Sequence, residues 1–336
     1  MKKKLLVIFG PTGSGKSDLA VILSKKFKGE VISADSRQVY RHLDIGTGKI
    51  TKKEMKGIPH HLLSFVSPKR IFTVKEFREK ALKIIEKIHQ KNKLPILCGG
   101  SNFWIQVVAD GLKFPEVKPD YKLREKLAKL SSQELYLMLQ KLDKKRAKTI
   151  EPKNKRRLIR AIEIIKKTKK NIPKIGFTKN FDTLKIALFL EKEELEKRIE
   201  KRLNEWLKKG LLEEVKKLRK MKVSWRRIEG FGLEYKWLSL YLRGKINYQE
   251  MKEKSLRSII KYSKKQLSWL RNKEKDVVWL DVSKKNWQKK VEKMVALWLS
   301  KKEEKRKKEG LSTLKGRRKR KELKISLKGK SSKKIS

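Results

Sequence analysis

Short apolar runs alternate with amphipathic segments along the first hundred residues. The runs at 5–9, 31–34 and 95–98 each end beside Gly, Ser or Asp, and Val74–Gln90 repeats its apolar positions with helical spacing. This alternation predicts βαβ units and a parallel sheet. The apolar runs Ile186–Leu190 and Val277–Leu280 are predicted to be later strands of the same sheet.

The strand pattern disappears between residues 118 and 180. Leu123–Leu130, Ser132–Leu142 and Arg156–Lys167 have helical spacing instead, and Ser131 begins a sequence typical of a helix start. An all-helical stretch between two strands of one sheet is best explained as an inserted domain.

The first predicted strand runs directly into a glycine-rich loop, Gly10-Pro11-Thr12-Gly13-Ser14-Gly15-Lys16-Ser17. This G-x-x-x-x-G-K-S pattern is typical of a phosphate-binding loop, in which backbone N–H groups and the lysine hold a di- or triphosphate. The hydroxyl of Ser17 can bind Mg²⁺ beside those phosphates. Such a loop alone indicates nucleotide or ATP binding, and it does not identify the reaction.

These patterns predict an α/β fold, a P-loop NTPase-like parallel sheet flanked by helices, with an inserted all-helical domain. We assign residues 1–115 and 183–300 to the catalytic core and 116–182 to the inserted domain. The segment 301–336 lacks aromatic residues and is predicted to be a disordered polybasic tail.

The formal net charge of +56 changes the picture of possible partners. The tail holds 17 basic and four acidic residues, so the first 300 residues still carry a net charge of +43. A folded body this basic favours a nucleic-acid partner, because neutralising phosphates releases counterions. The alternative is a lysine bias of the whole proteome, which raises charge without function.

Cysteine content and hydropathy suggest a compartment. Cys98 is the single cysteine, so no disulfide within the chain and no cysteine-based zinc site is possible, as expected for a reducing cytoplasm. The charged start Met1–Lys4 leads into a strand and is not interpreted as a signal peptide. No apolar stretch approaches the ~18 residues of a membrane span.

A carboxylate follows the second predicted strand. Asp35 begins the sequence Asp35-Ser36-Arg37-Gln38 at the carboxyl edge of the sheet, where open α/β sheets bind their ligands. Three roles are compatible with that place: a Mg²⁺ ligand, a general base, or the N-cap of the next helix.

The order of several motifs resembles the tRNA dimethylallyltransferases, also called tRNA isopentenyltransferases. Their blocks appear here in the family's order and cover about residues 5–281. The blocks are the phosphate loop, Asp35-Ser-x-Gln38-Val-Tyr40, Asp44-Ile-Gly-Thr47-x-Lys49, Pro59-His60-His61, Gly99-Gly100-Ser101, Arg157-Leu-Ile-Arg160-Ala-Ile-Glu163, Arg202 with Trp206, Gly210-Leu-Leu-Glu-Glu-Val215, and Lys265-Gln266-Leu-Ser-Trp269-Leu-Arg271.

The resemblance implies a reaction. The dimethylallyl group of dimethylallyl diphosphate is transferred to N6 of the adenosine immediately 3′ of the anticodon, in tRNAs that read codons beginning with U, and diphosphate is released. It implies that Asp35 accepts the N6 proton, that Lys16 and Arg202 face the diphosphate, and that Ser17 binds the Mg²⁺ cofactor.

The resemblance also implies the contacts to tRNA. The flipped adenosine and its neighbours are expected to meet Asp35, Ser36, Arg37, Gln38, Ser101, Lys265 and Gln266. Contacts to the anticodon stem are expected from Arg124, Arg156, Arg157 and Arg160 of the inserted domain. The chain is expected to act as a monomer, away from membranes, on tRNA and dimethylallyl diphosphate.

Some positions depart from the family. Its Gly-Tyr-Lys-Glu block appears as Gly232-Leu233-Glu234-Tyr235, and Lys265 replaces an arginine. Three alternatives remain: an adenylate isopentenyltransferase acting on AMP, ADP or ATP, a P-loop kinase or NTPase, and a non-enzymatic RNA-binding protein. The basic inserted domain disfavours the first, and Cys98-Gly99-Gly100, which lacks a carboxylate, disfavours the second.

Overall fold

The chain divides into two compact units. A computed structural model describes residues 2–113, 115, 117–173 and 176–300. One unit comprises the described residues up to Ala109 and from Phe181 onward, and the other is Asp110–Asn180, close to the predicted insertion at 116–182. The predicted tail at 301–336 lies outside the described residues.

The larger unit contains a six-stranded sheet with parallel pairing throughout, as predicted. Its strands are β1 (Lys3–Phe9), β2 (Gly29–Ser33), β3 (His60–His61), β4 (Leu94–Gly99), β5 (Phe181–Phe189) and β6 (Val278–Asp281). The spatial order is β3-β2-β4-β1-β5-β6. The strands β2, β3 and β4 therefore lie on one side of β1, and β5 and β6 lie on the other. In open α/β sheets such a switch in strand order leaves a crevice for ligands, which is expected here at the carboxyl end of β1.

Burial on both faces explains the continuous apolar run of β1. Leu5, Val7 and Phe9 face one core cluster, and Leu6 and Ile8 face another on the opposite side. A strand of a parallel sheet with both faces covered has this composition because successive side chains point to opposite faces. The central strand is thus fixed from both sides, together with the loop that follows it.

Helices cover both faces of the sheet. In the larger unit they are α1 (Lys16–Lys26), α2 (Lys52–Met55), α3 (Val74–Gln90), α4 (Asn102–Ala109), α9 (Lys192–Lys208), α10 (Leu211–Lys220), α11 (Trp225–Gly230), α12 (Leu233–Leu242) and α13 (Tyr248–Lys273), and residues 287–300 are also helical. The predicted bounds of α3 are confirmed. Thr73 and Glu76 close its first turn as a capping box, which explains why the helix begins at Val74.

The smaller unit is helical, as predicted. It contains α5 (Tyr121–Lys129), α6 (Ser132–Leu142), α7 (Lys144–Ala147) and α8 (Lys155–Thr168) around a core of its own. The helix start at Ser131 is confirmed, because its hydroxyl accepts the N–H of Glu134 and the Glu134 carboxylate accepts the N–H of Ser131. Across both units, no helix in the described ranges is long and apolar enough to span a membrane.

The ends of β2 and β4 approach so closely that only glycine fits between them. A Cβ added at Gly99 would lie 2.2 Å from the carbonyl oxygen of Ala34. The Ala34 N–H donates to Cys98 O at 2.8 Å, and the Ser101 N–H donates to Ala34 O at 3.1 Å. These two hydrogen bonds hold the strand ends at this short separation. The sequence that follows each strand is thereby held at one edge.

We expect Gly99→Ala to lower the free energy of unfolding by about 1–3 kcal/mol, because the new methyl group forces two hydrogen-bonded strand ends apart. Urea denaturation followed by circular dichroism measures the change. Gly230→Ala is the control, since a Cβ there has no neighbour within 4 Å. Equal stability of the two variants would contradict this description of the sheet edge.

Candidate active site

The phosphate loop lies at the end of β1 and opens α1. Gly13 and Gly15 have φ angles of +83° and +79°, which L-residues rarely adopt, and Gly15 is the N-cap of the helix. The free N–H groups of the first helical turn and the positive end of the helix dipole then face the same space as Lys16 and Ser17.

Three residues keep the loop in shape. The carbonyl of Pro11 accepts the hydroxyl of Ser14 at 2.9 Å and the ammonium group of Lys16 at 3.0 Å. A Cβ at Gly10 would lie 2.4 Å from the Ser14 hydroxyl oxygen. Gly10, Pro11 and Ser14 therefore support the loop, whereas Thr12, Gly13, Gly15, Lys16 and Ser17 line the adjoining pocket.

Two partly buried cations, Lys16 and Arg202, line the pocket beside the phosphate loop. Burial lowers the pKa of Lys16, and the nearby guanidinium of Arg202 lowers it further, whereas Asp35 and Asp18 act in the opposite direction. Burial also lowers the pKa of Arg202. Both cations would be stabilised by an anion in the pocket, because an opposite charge offsets the cost of removing them from water.

Arg202 faces the phosphate loop from α9, as predicted. Its Nη1 donates to the hydroxyl of Thr12 at 3.4 Å, and its guanidinium carbon lies 5.7 Å from the centre of the Trp206 ring. Trp206 is one turn along the same helix and also lines the pocket. Arg202 is therefore a partly buried residue of the pocket and not an exposed charge on the helix surface.

Asp35 lies on the same pocket at the carboxyl edge of the sheet. Its Oδ1 accepts the backbone N–H of Arg37 at 2.9 Å and that of Gln38 at 3.4 Å, so this oxygen caps the turn after β2. The helix N-cap considered for Asp35 is not formed, because residues 36–39 form a turn and the next helix begins only at Lys52. The cap fixes the direction of the carboxylate beside the loop that carries Lys16.

Gln38 and Ser101 connect this turn to its neighbours. The Gln38 amide nitrogen donates to the carbonyls of Thr47 and Gly48 at 3.1 and 3.3 Å, and its oxygen accepts the Ser33 hydroxyl at 3.0 Å. Ser101 Oγ accepts the backbone N–H of Ser36 at 3.0 Å. The predicted base-binding residues 35–38 thus form one hydrogen-bonded turn.

Helix α13 reaches the same site through Gln266. Its amide nitrogen donates to the Gly100 carbonyl at 2.8 Å, and Asn102 donates to the Gln266 carbonyl at 2.9 Å. Gln266, which is predicted to contact tRNA, lines the pocket. Lys265, its neighbour, is exposed and is not among the residues that line the pocket.

Tyr262 and Leu233 also line the pocket, and sequence reasoning missed both. Burial, followed by the charge of Asp35, raises the pKa of the Tyr262 phenol to about 12, so the hydroxyl keeps its proton at neutral pH. Tyr262 precedes Gln266 by four residues on one helix, which places both on one face. This spacing of four residues from Gln266 is the feature of the sequence that could have identified Tyr262 as a pocket residue.

The pocket also has an apolar wall. Val31, Leu63, Trp206, Leu233 and Ile259 line it together with the charged and polar groups. A pocket lined by both cationic groups and apolar side chains suits a ligand that joins a diphosphate to a small hydrocarbon.

A Mg²⁺ ion fits the residues present. Ser17 and Asp18 both line the pocket at the start of α1, where a hydroxyl and a carboxylate can complete a coordination sphere supplied chiefly by phosphate oxygens and water. No group of three or more His, Cys, Asp or Glu side chains suited to a metal occurs in the described part of the chain. A site made with substrate phosphates does not require one.

The arginines predicted to bind the anticodon stem belong to the smaller unit and differ in exposure. Arg124 donates twice to Glu163, from Nε and Nη2 at 2.8 Å each, and Arg160 donates to Glu163 and to the Val117 carbonyl. Arg156 and Arg157 are exposed on α8. Arg157 and Arg160 therefore differ in their surroundings, and Arg160 has a structural partner.

Comparison with known proteins agrees with the geometry. The family model described as IPP transferase matches residues 38–273. A tRNA dimethylallyltransferase of Halalkalibacterium halodurans is 36% identical over 301 residues, covering 87% of this chain and 95% of that protein. One of Caldanaerobacter subterraneus subsp. tengcongensis is 38% identical over 282 residues, covering 81% of this chain and 90% of that protein.

Solved structures give the same result. The full-length tRNA isopentenylpyrophosphate transferase of Bacillus halodurans matches with a TM-score of 0.69 and 35% identity, covering 90% of this chain and 99% of that one. A eukaryotic dimethylallyltransferase, described in crystallographic snapshots as acting on tRNA, matches with a TM-score of 0.70 and 31% identity. That match covers 83% of this chain and 74% of the other.

The cluster around Glu163 predicts a pH dependence in the smaller unit. Burial alone would raise the pKa of Glu163, but hydrogen bonds from Arg124, the Asp120 N–H and Arg160 lower it to about 2. A carboxyl whose pKa is lower in the folded state stabilises the fold above its unfolded pKa of ~4.3. This stabilisation is lost as the pH falls from about 5 towards 2.

We expect Glu163→Gln to lose about 1–3 kcal/mol of stability at pH 7 and to show a weaker further loss on acidification, because the titrating group is gone. Urea denaturation at pH 7, 5 and 3.5 measures both effects. The exposed Glu125 provides a matched control as Glu125→Gln. An identical acid response in wild type and Glu163→Gln would show that this cluster does not stabilise the unit.

Proposed function

This chain belongs to the IPP transferase family, and from that premise we propose that it transfers the dimethylallyl group of dimethylallyl diphosphate to tRNA. The acceptor is N6 of the adenosine immediately 3′ of the anticodon, in tRNAs that read codons beginning with U. The observation that carries the proposal is one pocket lined by Lys16, Arg202 and Asp35 together with apolar side chains.

The reaction is a displacement at carbon. The bond between C1 of the dimethylallyl group and the bridging oxygen breaks, a bond from adenine N6 to C1 forms, and diphosphate leaves with the electron pair. Negative charge therefore grows on the leaving oxygen. Lys16, Arg202 and the N–H groups of the phosphate loop stabilise that charge from fixed positions, which is the effect that lowers a barrier most efficiently.

The acceptor amine must lose a proton as the new bond forms. In the proposed mechanism Asp35 accepts this proton, and its Oδ1 contacts to the turn hold the carboxylate in place for that role. Ser36, Arg37, Gln38 and Ser101 surround the flipped base and offset the cost of unstacking it. The cap seen at Asp35 is compatible with its role as a base, because a carboxylate has a second oxygen.

Mg²⁺ would be held by Ser17 and Asp18 together with diphosphate oxygens. When bound, it neutralises part of the leaving-group charge. The chain's own residues orient the diphosphate against α1 and exclude water from the allylic carbon through the apolar wall formed in part by Trp206 and Leu233.

The smaller unit provides the proposed contact with the anticodon stem. Arg156 and Arg157 are exposed there, and phosphate contacts of this kind position an RNA without reading its sequence. The net charge of +43 in the first 300 residues favours a polyanionic acceptor over a free nucleotide. We propose that the chain acts on tRNA as a monomer.

Labelled dimethylallyl diphosphate tests this function directly. In the presence of Mg²⁺, we expect label to enter an anticodon stem-loop with adenosine 3′ of the anticodon and not one with guanosine at that position. AMP and ATP serve as competing acceptors in parallel reactions. Label that enters only AMP would identify an adenylate isopentenyltransferase, and transfer of phosphate from ATP would identify a kinase.

Asp35→Asn tests the base. Asparagine keeps the Oδ1 acceptor that caps the turn, so the variant should fold and bind the stem-loop, but single-turnover transfer should fall by about 10²–10⁴-fold. Asp281→Asn is the matched control, because Asp281 also ends a parallel strand and caps a turn through Oδ1, at Ser283. Unchanged turnover in Asp35→Asn would refute the assignment of the general base.

A further inference from the structure

Two consecutive residues at the start of α12 each hold a different loop of the pocket. Glu234 Oε1 accepts Arg37 Nη1 at 2.6 Å, and Arg37 belongs to the turn after β2. The Tyr235 hydroxyl donates to Glu214 Oε1 at 2.6 Å. Glu214 in turn holds the loop that begins at Asp44.

The pair of Glu234 and Arg37 is enclosed by protein. The Glu234 side chain is 0% exposed and that of Arg37 is 19% exposed, so their charges are poorly screened by water. Burial raises the pKa of Glu234, and Arg37 opposes that rise. Burial would lower the pKa of Arg37, but Glu234 and then Asp35 outweigh it and raise that pKa.

The hydrogen bonds divide the two guanidinium groups between the two substrates. Arg202 donates to the hydroxyl of Thr12 in the phosphate loop, on the diphosphate side. Arg37 belongs to the turn that Asp35 caps and donates to Glu234, on the side of the proposed base. Arg37 therefore belongs to the acceptor end of the pocket.

Glu214 binds its loop as an anion is bound by a nest of backbone N–H groups. Its Oε2 accepts the N–H groups of Asp44 and Ile45 at 2.7 Å each, and Oε1 accepts that of Gly46 at 3.2 Å. A Cβ at Gly46 would lie 2.7 Å from the Tyr235 hydroxyl oxygen. The loop is thus pressed against Tyr235, and its continuation at 47–48 accepts the amide of Gln38.

The residue before this pair is in a backbone conformation that is rare for leucine. Leu233 has a φ of +45°, directly after Gly232 at +74°, and its side chain lines the pocket. Positive φ at a non-glycine residue costs free energy and persists only where surrounding contacts impose it. The hydrogen bonds of Glu234 and Tyr235 are contacts of that kind.

This arrangement belongs to the block in which the chain departs from its family. Where Gly-Tyr-Lys-Glu is usual, the chain has Gly232-Leu233-Glu234-Tyr235. A lysine at 234 would place a second cation against Arg37, whereas Glu234 neutralises it. Glu234 and Tyr235, which stand in this block, therefore each have a hydrogen-bonded partner.

We propose that Glu234 and Tyr235 form a brace that positions the acceptor base against Asp35. Glu234 acts through Arg37 on the turn 35–38, and Tyr235 acts through Glu214 on the loop 44–48. Both are positioning residues, since they hold groups that line the pocket. The inference rests on the proposed function, because it assigns the two loops to the tRNA substrate and not to dimethylallyl diphosphate.

Steady-state kinetics of Glu234→Gln and Tyr235→Phe test the brace. Each change keeps the side-chain shape and removes a charge or a hydroxyl. We expect kcat/KM for the stem-loop to fall by about tenfold or more, the effect of losing one good hydrogen bond, while KM for dimethylallyl diphosphate stays within about twofold. Glu229→Gln, which removes the partner of Arg243 on α11, is the control and should change neither value.

A double-mutant cycle separates positioning from general destabilisation. Arg37→Ala combined with Glu234→Gln should be no less active than Arg37→Ala alone, because Glu234 acts through Arg37. Additive losses would overturn the proposal, as would equal increases of both KM values in Glu234→Gln. If Glu234→Gln fails to fold, Arg37→Ala is compared directly with the double variant, because the double variant contains no uncompensated charge at this pair.

Stability provides a readout that does not depend on catalysis. In Arg37→Ala the charge and hydrogen bond that oppose burial at Glu234 are removed, whereas burial and the charge of Glu214 remain, so the pKa of Glu234 should rise further. A carboxyl with a raised folded-state pKa destabilises the fold as the pH rises above its unfolded pKa. The Tm of Arg37→Ala should therefore fall between about pH 5 and 8 relative to wild type, and the added Glu234→Gln should remove that fall.

The outcomes distinguish the brace from the proposed function. A wild-type protein that modifies no stem-loop contradicts the function, and the pH dependence of Tm then still tests the coupling of Arg37 to Glu234. A wild-type protein that modifies the stem-loop, with Glu234→Gln and Tyr235→Phe as active as Glu229→Gln, contradicts the brace.

Discussion

The close approach of β2 and β4 is the constraint from which the site is built. Because no side chain fits between Gly99 and the Ala34 carbonyl, the two strands end side by side, next to the end of β1. The phosphate loop, the turn at Asp35 and the Gly100–Ser101 segment consequently open into one pocket. Hydrogen bonds from Ser36 to Ser101 and from Gln266 to Gly100 then join these segments to each other and to α13.

The electrostatics of the pocket explain how a phosphate loop can serve alkyl transfer. Lys16 and Arg202 are both partly removed from water, and burial lowers the pKa of each, so the site favours a ligand that brings negative charge. A diphosphate gains negative charge as its bond to carbon breaks. The same cations therefore bind the departing group more strongly in the transition state than in the ground state, which is the requirement for catalysis.

Local sequence predicted the elements whose pattern is long or chemically specific. The buried strand β1, the capped helix α3 and the phosphate loop follow from apolar spacing and glycine placement. The short strand β3 and the helices α11 and α12 were missed, since two to ten residues carry little periodicity. Glu234, Tyr235 and Glu214 could not be predicted as a group, because the contacts of Glu234 with Arg37 and of Glu214 with Asp44 join residues 197 and 170 positions apart. Only the resemblance to known enzymes indicated that Arg202 faces the phosphate loop.

The central claim is that the phosphate loop stabilises a leaving diphosphate and does not take part in phosphoryl transfer. Dimethylallyl diphosphate with ¹⁸O at the bridging position tests it, with the stem-loop as acceptor and mass spectrometry of all products. The account predicts that the ¹⁸O leaves entirely in the released diphosphate while the prenyl group appears on adenosine N6. Retention of ¹⁸O on the isoprenoid, as its alcohol or monophosphate, would mean cleavage at phosphorus and would contradict the account.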